Sequence, residues 1–254
     1  MPFVTLGQES IYYTASRSGK EVSLVLIHGS GGSHLSWPAE ARRLAAADVY
    51  ALDLPGHGKS GGQGRSQVED YAELVQAFVR ELGLDTVVLA GHSLGGAVVL
   101  SCALQEPAWL RGMILVGTGG RLKVAPQILD GLRQDFPGTA AMVNDAAFGS
   151  QAPQALKRES EQAFLAADPE VMHGDFAACN EFDVMDRLDS IECPALVVCG
   201  DQDRLTPEKY GRHLAETLPR SQLTVLQGCG HMMALEKPAE FSRAVQGFVE
   251  QLEG

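Results

Sequence analysis

The stretch Thr86–Gly96, TVVLAGHSLGG, decides the fold of this chain. Its first five residues are β-branched or apolar, as in a buried strand, and a helical pattern begins at Leu94. The pentapeptide GHSLG (residues 91–95) between them has the G-x-S-x-G spacing of a sharp strand-to-helix turn. Such a turn needs glycines because it leaves no room for side chains beside the serine. We therefore predict that Ser93 is a nucleophile exposed at the carboxyl end of a strand.

Short apolar runs and helical stretches alternate on both sides of this turn. The runs are continuous in hydrophobicity, which is typical of parallel strands covered on both faces. Ahead of them, Phe3–Leu6 and Ile11–Ala15 are predicted to form an antiparallel hairpin. The alternation predicts an α/β fold with a mainly parallel central sheet flanked by helices. The other strands are predicted at Val22–Ile27, Val49–Leu54, Met113–Val116, Ala195–Cys199 and Leu223–Leu226, and the helices at Val68–Leu82, Leu94–Gln105, Pro207–Leu218 and Pro238–Leu252.

The alternation is interrupted once, between Gly119 and Asp186. This segment has no strand-like run and is too long for a structureless loop, so it is predicted to be an inserted all-helical cap. Residues 1–118 and 187–254 are then the α/β core, and residues 119–186 are the cap. Both ends of the cap leave the sheet near Ser93, so we expect it to enclose a mainly apolar pocket there. The core residues expected to complete that pocket and bind substrate are Leu35, Leu94, Leu205 and Met232.

A serine nucleophile needs a base, and the base needs a carboxylate that fixes its tautomer. His231 directly follows the predicted strand that ends at Leu226. Asp201 and Asp203 follow the strand that ends at Cys199. Because the carboxyl ends of parallel strands meet at one edge of the sheet, both loops are expected beside Ser93. Chemistry alone does not choose between the two aspartates.

Two other histidines lie close to these motifs in the sequence. His92 precedes Ser93, and its side chain is expected to point away from the turn. His57 lies in a loop after a predicted strand, from which it could approach the site, but it is interpreted as a histidine that packs the loop.

The oxyanion of an acyl-transfer reaction needs two hydrogen-bond donors. The small residues of HGSGG (residues 28–32) follow a predicted strand and let a backbone N–H approach the substrate. With the N–H of the residue after the nucleophile, this predicts Ser30 and Leu94 as donors. Position 34 is His, so the loop lacks the G-x-G-x-x-G spacing of a phosphate-binding turn.

Over nearly its whole length, from Leu24 to Leu252, the sequence resembles the α/β-hydrolase superfamily. The order Ser, Asp, His along the chain is the order that this superfamily uses. Its acid lies three residues after a strand-ending glycine and four before a proline, so the resemblance selects Asp203 over Asp201. The matching pieces are His28-Gly29 with Trp37 downstream, the loop Asp53–Ser60 (DLPGHGKS), Gly91–Gly95, Gly200–Pro207, and Gly230-His231 followed by Glu236-Lys237-Pro238.

The resemblance implies an acyl-enzyme mechanism. Dehalogenases and epoxide hydrolases of this fold carry an aspartate where this chain has Ser93. The implied steps are that His231 deprotonates Ser93, Ser93 attacks a carbonyl, and the Ser30 and Leu94 amides hold the oxyanion. No metal and no organic cofactor is implied.

The first expectation for function is hydrolysis of a carboxylic ester of a small, largely apolar substrate. The same residues also serve thioesterases, lactonases, carbon–carbon bond hydrolases, perhydrolases and a lyase of menaquinone synthesis. A small-molecule receptor or signalling protein with slow or no turnover is the alternative from another class, because the fold alone does not set the function.

Composition excludes several other classes of protein. The net charge of −12 repels phosphate backbones, so nucleic acid is not an expected partner. The longest apolar runs have five residues, whereas a membrane span needs about 20, so no membrane association is expected. The first 20 residues lack the apolar core of a secretory signal. The five cysteines include no C-x-x-C pair, which predicts reduced thiols, no zinc site and a cytoplasmic protein.

Overall fold

The computed structural model describes residues 3–252, and one eight-stranded sheet forms its centre. The strand order is β1-β2-β4-β3-β5-β6-β7-β8. Strands β3 to β8 all run parallel to one another, whereas β2 pairs antiparallel with both β1 and β4. The predicted α/β fold and the predicted hairpin are therefore confirmed. The strands are β1 (Phe3–Leu6), β2 (Glu9–Ser16), β3 (Ser23–Ile27), β4 (Asp48–Leu52), β5 (Val87–His92), β6 (Leu110–Val116), β7 (Ala195–Gly200) and β8 (Ser221–Leu226).

Helices cover both faces of the sheet. Alternate residues of a central strand pack on opposite faces: in β3, Val25 joins the cluster under α1 and α2, and Leu26 joins the cluster under α9. This explains why the strands are continuously apolar in sequence. The helices are α1 (Val68–Glu81), α2 (Leu94–Ala103), α3 (Pro126–Gln134), α4 (Phe136–Ala147), α5 (Gln154–Leu165), α6 (Pro169–Glu181), α7 (Glu208–Thr217), α8 (Met233–Glu236) and α9 (Pro238–Leu252).

Helix α2 is the most deeply buried helix of the core. All ten of its residues are buried, as expected for a helix that is hydrophobic on every side. It begins one residue after Ser93, so the turn that carries Ser93 is held between a central strand and a buried helix.

Four helices, α3 to α6, lie between β6 and β7 within the inserted segment (residues 119–186). An isolated β-bridge between Arg121 and Asp183 is among the contacts that join the two ends of this segment. The interpretation of the segment as a separate cap stays a prediction. Residues 1, 2, 253 and 254, which the prediction assigns to the core, lie outside the described residues.

Two strands, β4 and β5, end two residues away from the positions that the sequence predicts. Strand β4 ends at Leu52, because the Asp53 carboxylate accepts backbone N–H groups from His34 and Lys59 and so begins a loop. Strand β5 extends to His92, and the Ser93 N–H continues its ladder to the carbonyl oxygen of Val116. No helix of residues 3–252 is long and apolar enough to span a membrane.

Candidate active site

Ser93 sits in a strained backbone conformation between β5 and α2. Its φ of 53° and ψ of −115° are rare for a residue with a side chain. The Ser93 N–H donates to the Val116 carbonyl at 2.9 Å, and the Ser93 carbonyl accepts the Thr118 hydroxyl at 2.9 Å. A Cβ on Gly91 would overlap the carbonyl oxygen of Gly95, and a Cβ on Gly95 would overlap that of Ile27, which explains both glycines of the motif. The surrounding structure therefore holds the strained serine in place.

His231 and Asp203 form a buried pair at the same sheet edge. His231 Nδ1 lies 2.8 Å from Asp203 Oδ2. Because a carboxylate only accepts hydrogen bonds, Nδ1 carries the proton and Nε2 is left as the basic nitrogen. The Thr206 hydroxyl also donates to Asp203 Oδ2 at 2.8 Å, and the Leu205 and Thr206 N–H groups donate to Oδ1, each at 2.9 Å.

These hydrogen bonds keep Asp203 ionised. Burial by itself raises the pKa of the carboxyl group, but the neighbouring His231 and the Thr206 hydrogen bonds oppose it. The net result is a pKa below the ordinary value for aspartate. Asp203 is thus suited to hold a neutral histidine in one tautomer and to stabilise it when it gains a proton.

Asp201, the other candidate acid, hydrogen-bonds to the backbone before His231 and not to the histidine ring. Its carboxylate is exposed and accepts the backbone N–H groups of Gly228 at 2.6 Å and Cys229 at 3.2 Å. It therefore shapes the turn that precedes His231. Of the two aspartates that chemistry left open, the structure brings Asp203 to the histidine.

The two predicted oxyanion donors have free backbone N–H groups. Ser30 lines the cavity above Ser93, and Leu94 is the first residue of α2. Within residues 3–252, neither N–H is donated to an acceptor. The first N–H groups of a helix have no partner inside the helix, and they favour negative charge. This argument applies to Leu94, and the role of both N–H groups as oxyanion donors stays a prediction.

A cavity of about 290 Å³ contains Ser93, His231 and Ser30 in its wall. The inserted segment contributes apolar side chains, and two cations, Lys123 and Arg204, also line it. The apolar lining includes Val124, Ile128, Val143, Phe164, Phe176, Leu205 and Met232.

Two of the four expected pocket residues lie elsewhere. Leu205 and Met232 line the cavity, whereas Leu94 is completely buried beneath it. Leu35 is 61% exposed and lines a second, adjoining cavity that shares Phe164 and Met232 with the first. The neighbouring His34 donates its N–H to Asp53 and also contacts that carboxylate through its ring, and this turns Leu35 outward.

The His92 side chain, which the sequence analysis expects to point away from the turn, faces the same cavity as Ser93. The His92 ring lines the cavity, and its centroid lies 4.5 Å from that of His231. Its Nε2–H donates to the backbone carbonyl oxygen of His231 at 2.9 Å. Burial lowers the pKa of His92 to about 3, so the ring is neutral. Because β5 continues to His92, the ring lies between the strand end and the His231 loop and holds that loop.

Thr206 and Asp175 are two polar residues that the sequence did not single out. Thr206 lies next to Pro207 in a loop whose motif points only to its aspartates. Asp175 lies in α6 on the same face as Met172 and Cys179, both of which are buried. A charged residue on a buried helix face is the signal that could have identified it. Within the described part of the chain, no group of three or more His, Cys, Asp or Glu side chains could hold a metal ion.

A sheet of this strand order, with Ser93, Asp203 and His231 on the loops after its parallel strands, is typical of the α/β class of hydrolases. The chain belongs to the alpha/beta hydrolase family, whose model matches residues 24–244.

Esterases are among the relatives of the chain. A pimeloyl-[acyl-carrier protein] methyl ester esterase of Yersinia pseudotuberculosis is 28% identical, over 96% of this chain and 98% of its own. A 2-hydroxy-6-oxononadienedioate/2-hydroxy-6-oxononatrienedioate hydrolase of Paraburkholderia phymatum is also 28% identical, over 95% and 91% of the two chains. The solved structure of a thermophilic esterase superposes with a TM-score of 0.88 at 31% identity, covering 98% of this chain and 97% of that one.

Proposed function

We propose that this hydrolase cleaves carboxylic esters of small, largely apolar substrates through Ser93, His231 and Asp203. The observation that carries the proposal is the buried Asp203–His231 pair, whose histidine shares one cavity wall with the strained Ser93. The esterases among its relatives support the same reaction class.

In the first half of the reaction, Ser93 Oγ attacks the ester carbonyl carbon while His231 Nε2 takes the hydroxyl proton. The carbonyl oxygen becomes negatively charged and accepts the N–H groups of Ser30 and Leu94. Asp203 stabilises the imidazolium that forms on His231. The tetrahedral intermediate then expels the alkoxide, which takes the proton from His231, and an acyl-enzyme on Ser93 remains.

In the second half, water replaces the alcohol. His231 removes a proton from the water as its oxygen attacks the acyl carbon, and the same two N–H groups hold the oxyanion. Collapse of this intermediate breaks the bond to Ser93 Oγ, which regains its proton from His231. The products are a carboxylic acid, an alcohol and the free enzyme.

One observation favours a second candidate function. The two cations in the cavity wall, Lys123 and Arg204, are suited to a substrate that carries carboxylates. The relative from Paraburkholderia is named as a hydrolase of dienedioates, which carry two such groups. Hydrolysis of a carbon–carbon bond in a keto acid of this kind is therefore the second candidate.

Turnover of p-nitrophenyl esters, from acetate to octanoate, tests the first candidate, with Ser93→Ala as the control. We expect repeated turnover by the wild type and none by the variant. A fluorophosphonate probe should label the wild type and leave Ser93→Ala unlabelled. A single slow acylation without turnover would instead favour a receptor, and unchanged labelling of Ser93→Ala would exclude Ser93 as the nucleophile.

A further inference from the structure

A buried carboxylate outside the Ser93 site connects four separate parts of the chain. Asp175 of α6 is completely buried, and its carboxylate accepts three hydrogen bonds. Oδ1 accepts the hydroxyl of Tyr71 at 2.6 Å. Oδ2 accepts the backbone N–H of Gly31 at 3.1 Å and lies 2.8 Å from His57 Nε2. A charge is buried at this depth only when it is paired and hydrogen-bonded.

The hydrogen bonds of His57 define its protonation state. Its Nδ1 lies 3.0 Å from the carbonyl oxygen of Pro55, and its Nε2 faces the Asp175 carboxylate. Both neighbours only accept hydrogen bonds, so both ring nitrogens carry a proton and the ring is an imidazolium. Burial by itself lowers the pKa of His57. The charge of Asp175 and its hydrogen bond to the ring have the larger, opposite effect, so the pKa of His57 is raised above its ordinary value. Asp175 and His57 are thus a buried ion pair.

The same face of α6 packs against the loop that carries the predicted oxyanion donor. Met172, Asp175 and Cys179 lie on this face, and each contacts the loop. Gly31 has a φ of 63°, and a Cβ there would overlap the terminal methyl group of Met172. Cys179 Sγ lies 4.0 Å from the Ser30 hydroxyl oxygen. Helix α6 therefore contacts this loop at three points: Asp175 accepts the Gly31 N–H, and Met172 and Cys179 pack against the loop one turn before and one turn after Asp175.

We propose that Asp175 is a positioning residue for hydrolysis. By accepting the Gly31 N–H, it fixes the peptide next to Ser30, so that the Ser30 N–H stays directed at the oxyanion. His57 and Tyr71 hold the carboxylate in turn, which makes one rigid unit of α6 and the loop that carries Ser30 and Gly31. The inference rests on the proposed function, because it takes Ser30 as an oxyanion donor.

Asp175→Asn tests this role, because it removes the negative charge and leaves the size of the side chain almost unchanged. The asparagine still offers one oxygen to Tyr71, but its NH₂ group faces two donors, Gly31 N–H and His57. We expect kcat for p-nitrophenyl acetate to fall by about 10- to 100-fold, less than for complete loss of an oxyanion donor, with KM almost unchanged. Glu170→Gln on the exposed side of the same helix is the matched control, and it should keep the wild-type kcat.

Tyr71→Phe is the second variant, because it removes one hydroxyl and leaves the ion pair intact. It should lower kcat several-fold without changing KM, even if Asp175→Asn does not fold. Active-site titration with the fluorophosphonate corrects each kcat for the folded fraction. Wild-type kcat in a folded Asp175→Asn or in Tyr71→Phe would overturn the proposal.

Hydrogen exchange of the loop at residues 29–32 measures the rigidity of the loop independently of ester turnover. Asp175→Asn should increase amide exchange there by about tenfold or more, whereas Glu170→Gln should not. Unchanged exchange would contradict the positioning role. Absence of turnover in the wild type, with faster exchange in the variant, would overturn the proposed function and leave the positioning of the loop supported.

Discussion

The Asp203 carboxylate and the His231 ring meet at 2.8 Å, although they come from loops after two different strands, β7 and β8. Strands β7 and β8 are parallel neighbours, so their carboxyl ends lie side by side and bring the two loops together. Thr206 contacts both members of the pair: its hydroxyl donates to the same oxygen of Asp203, and the hydroxyl oxygen lies 3.1 Å from His231 Nδ1. Asp203 is therefore the residue whose loss should most disturb the histidine.

Asp203→Asn should lower kcat by about 10⁴, because the amide no longer holds His231 in the tautomer that leaves Nε2 basic. The measurement is steady-state hydrolysis of p-nitrophenyl acetate. Asp201→Asn is the matched control, since Asp201 hydrogen-bonds only to the turn before His231. A larger loss of kcat in Asp201→Asn than in Asp203→Asn would contradict the assignment.

The apolar cavity predicts a preference for longer acyl chains. Each methylene that it buries contributes about 0.8 kcal/mol, so kcat/KM should rise up to about fourfold per methylene until the chain meets a wall. Phe164 lines both this cavity and the adjoining one. Phe164→Ala should therefore move the optimum to longer chains. A flat profile of kcat/KM from acetate to octanoate would count against an enclosed acyl site.

The charges at the cavity predict a preference for an anionic group on the substrate. Lys123 donates to a neutral acceptor, the carbonyl oxygen of Asn180, at 2.7 Å, whereas Arg204 contacts the Asp145 carboxylate at 3.4 Å. Mono-p-nitrophenyl glutarate should have a higher kcat/KM than p-nitrophenyl butyrate, by about two- to fivefold at low salt.

Lys123→Gln should remove this preference and leave the hydrolysis of butyrate unchanged. Lys20→Gln, at an exposed position in the loop before β3, is the control and should keep the preference. Equal rates for the two esters in the wild type would show that the cations take no part in selection.

The buried imidazolium predicts how stability depends on pH. The groups that face His57 are Asp175, Asp53, Tyr71 and His28, and burial lowers the pKa of His28 to about 3, so it stays neutral. The folded-state pKa of His57 is raised, so its contribution to stability is fully present below the unfolded pKa of about 6.5. That contribution is lost as the pH rises through the folded pKa, with a slope of at most about 1.4 kcal/mol per pH unit.

Urea unfolding of the wild type and of His57→Gln between pH 6 and pH 9 measures this contribution. The difference between their free energies of unfolding should shrink as the pH rises. A difference that stays constant over this range would mean that His57 is not charged in the folded protein.

Local sequence determined the fold of this protein and the place of its predicted nucleophile in that fold. In a parallel sheet that is covered on both faces, every side chain of a strand is buried and must be apolar. A continuous apolar run in the sequence therefore predicts such a strand. The turn at Ser93 is also recognisable from local sequence, because it excludes side chains at fixed neighbouring positions and so requires glycines there. The predicted bounds of strands β4 and β5 were wrong by two residues, because distant hydrogen-bond partners decide where these strands end.

Only the tertiary structure decided which distant side chains meet. Asp175 and His57 are 118 positions apart, and their pairing follows from how α6 packs on the loops above the sheet. The outward turn of Leu35 and the contact of His92 with His231 have the same origin, since each depends on a hydrogen bond to a residue from another loop. Strand and helix periods specify which face of an element is buried. They carry no information about the partner that covers it, because that partner is set by packing among elements far apart in the chain.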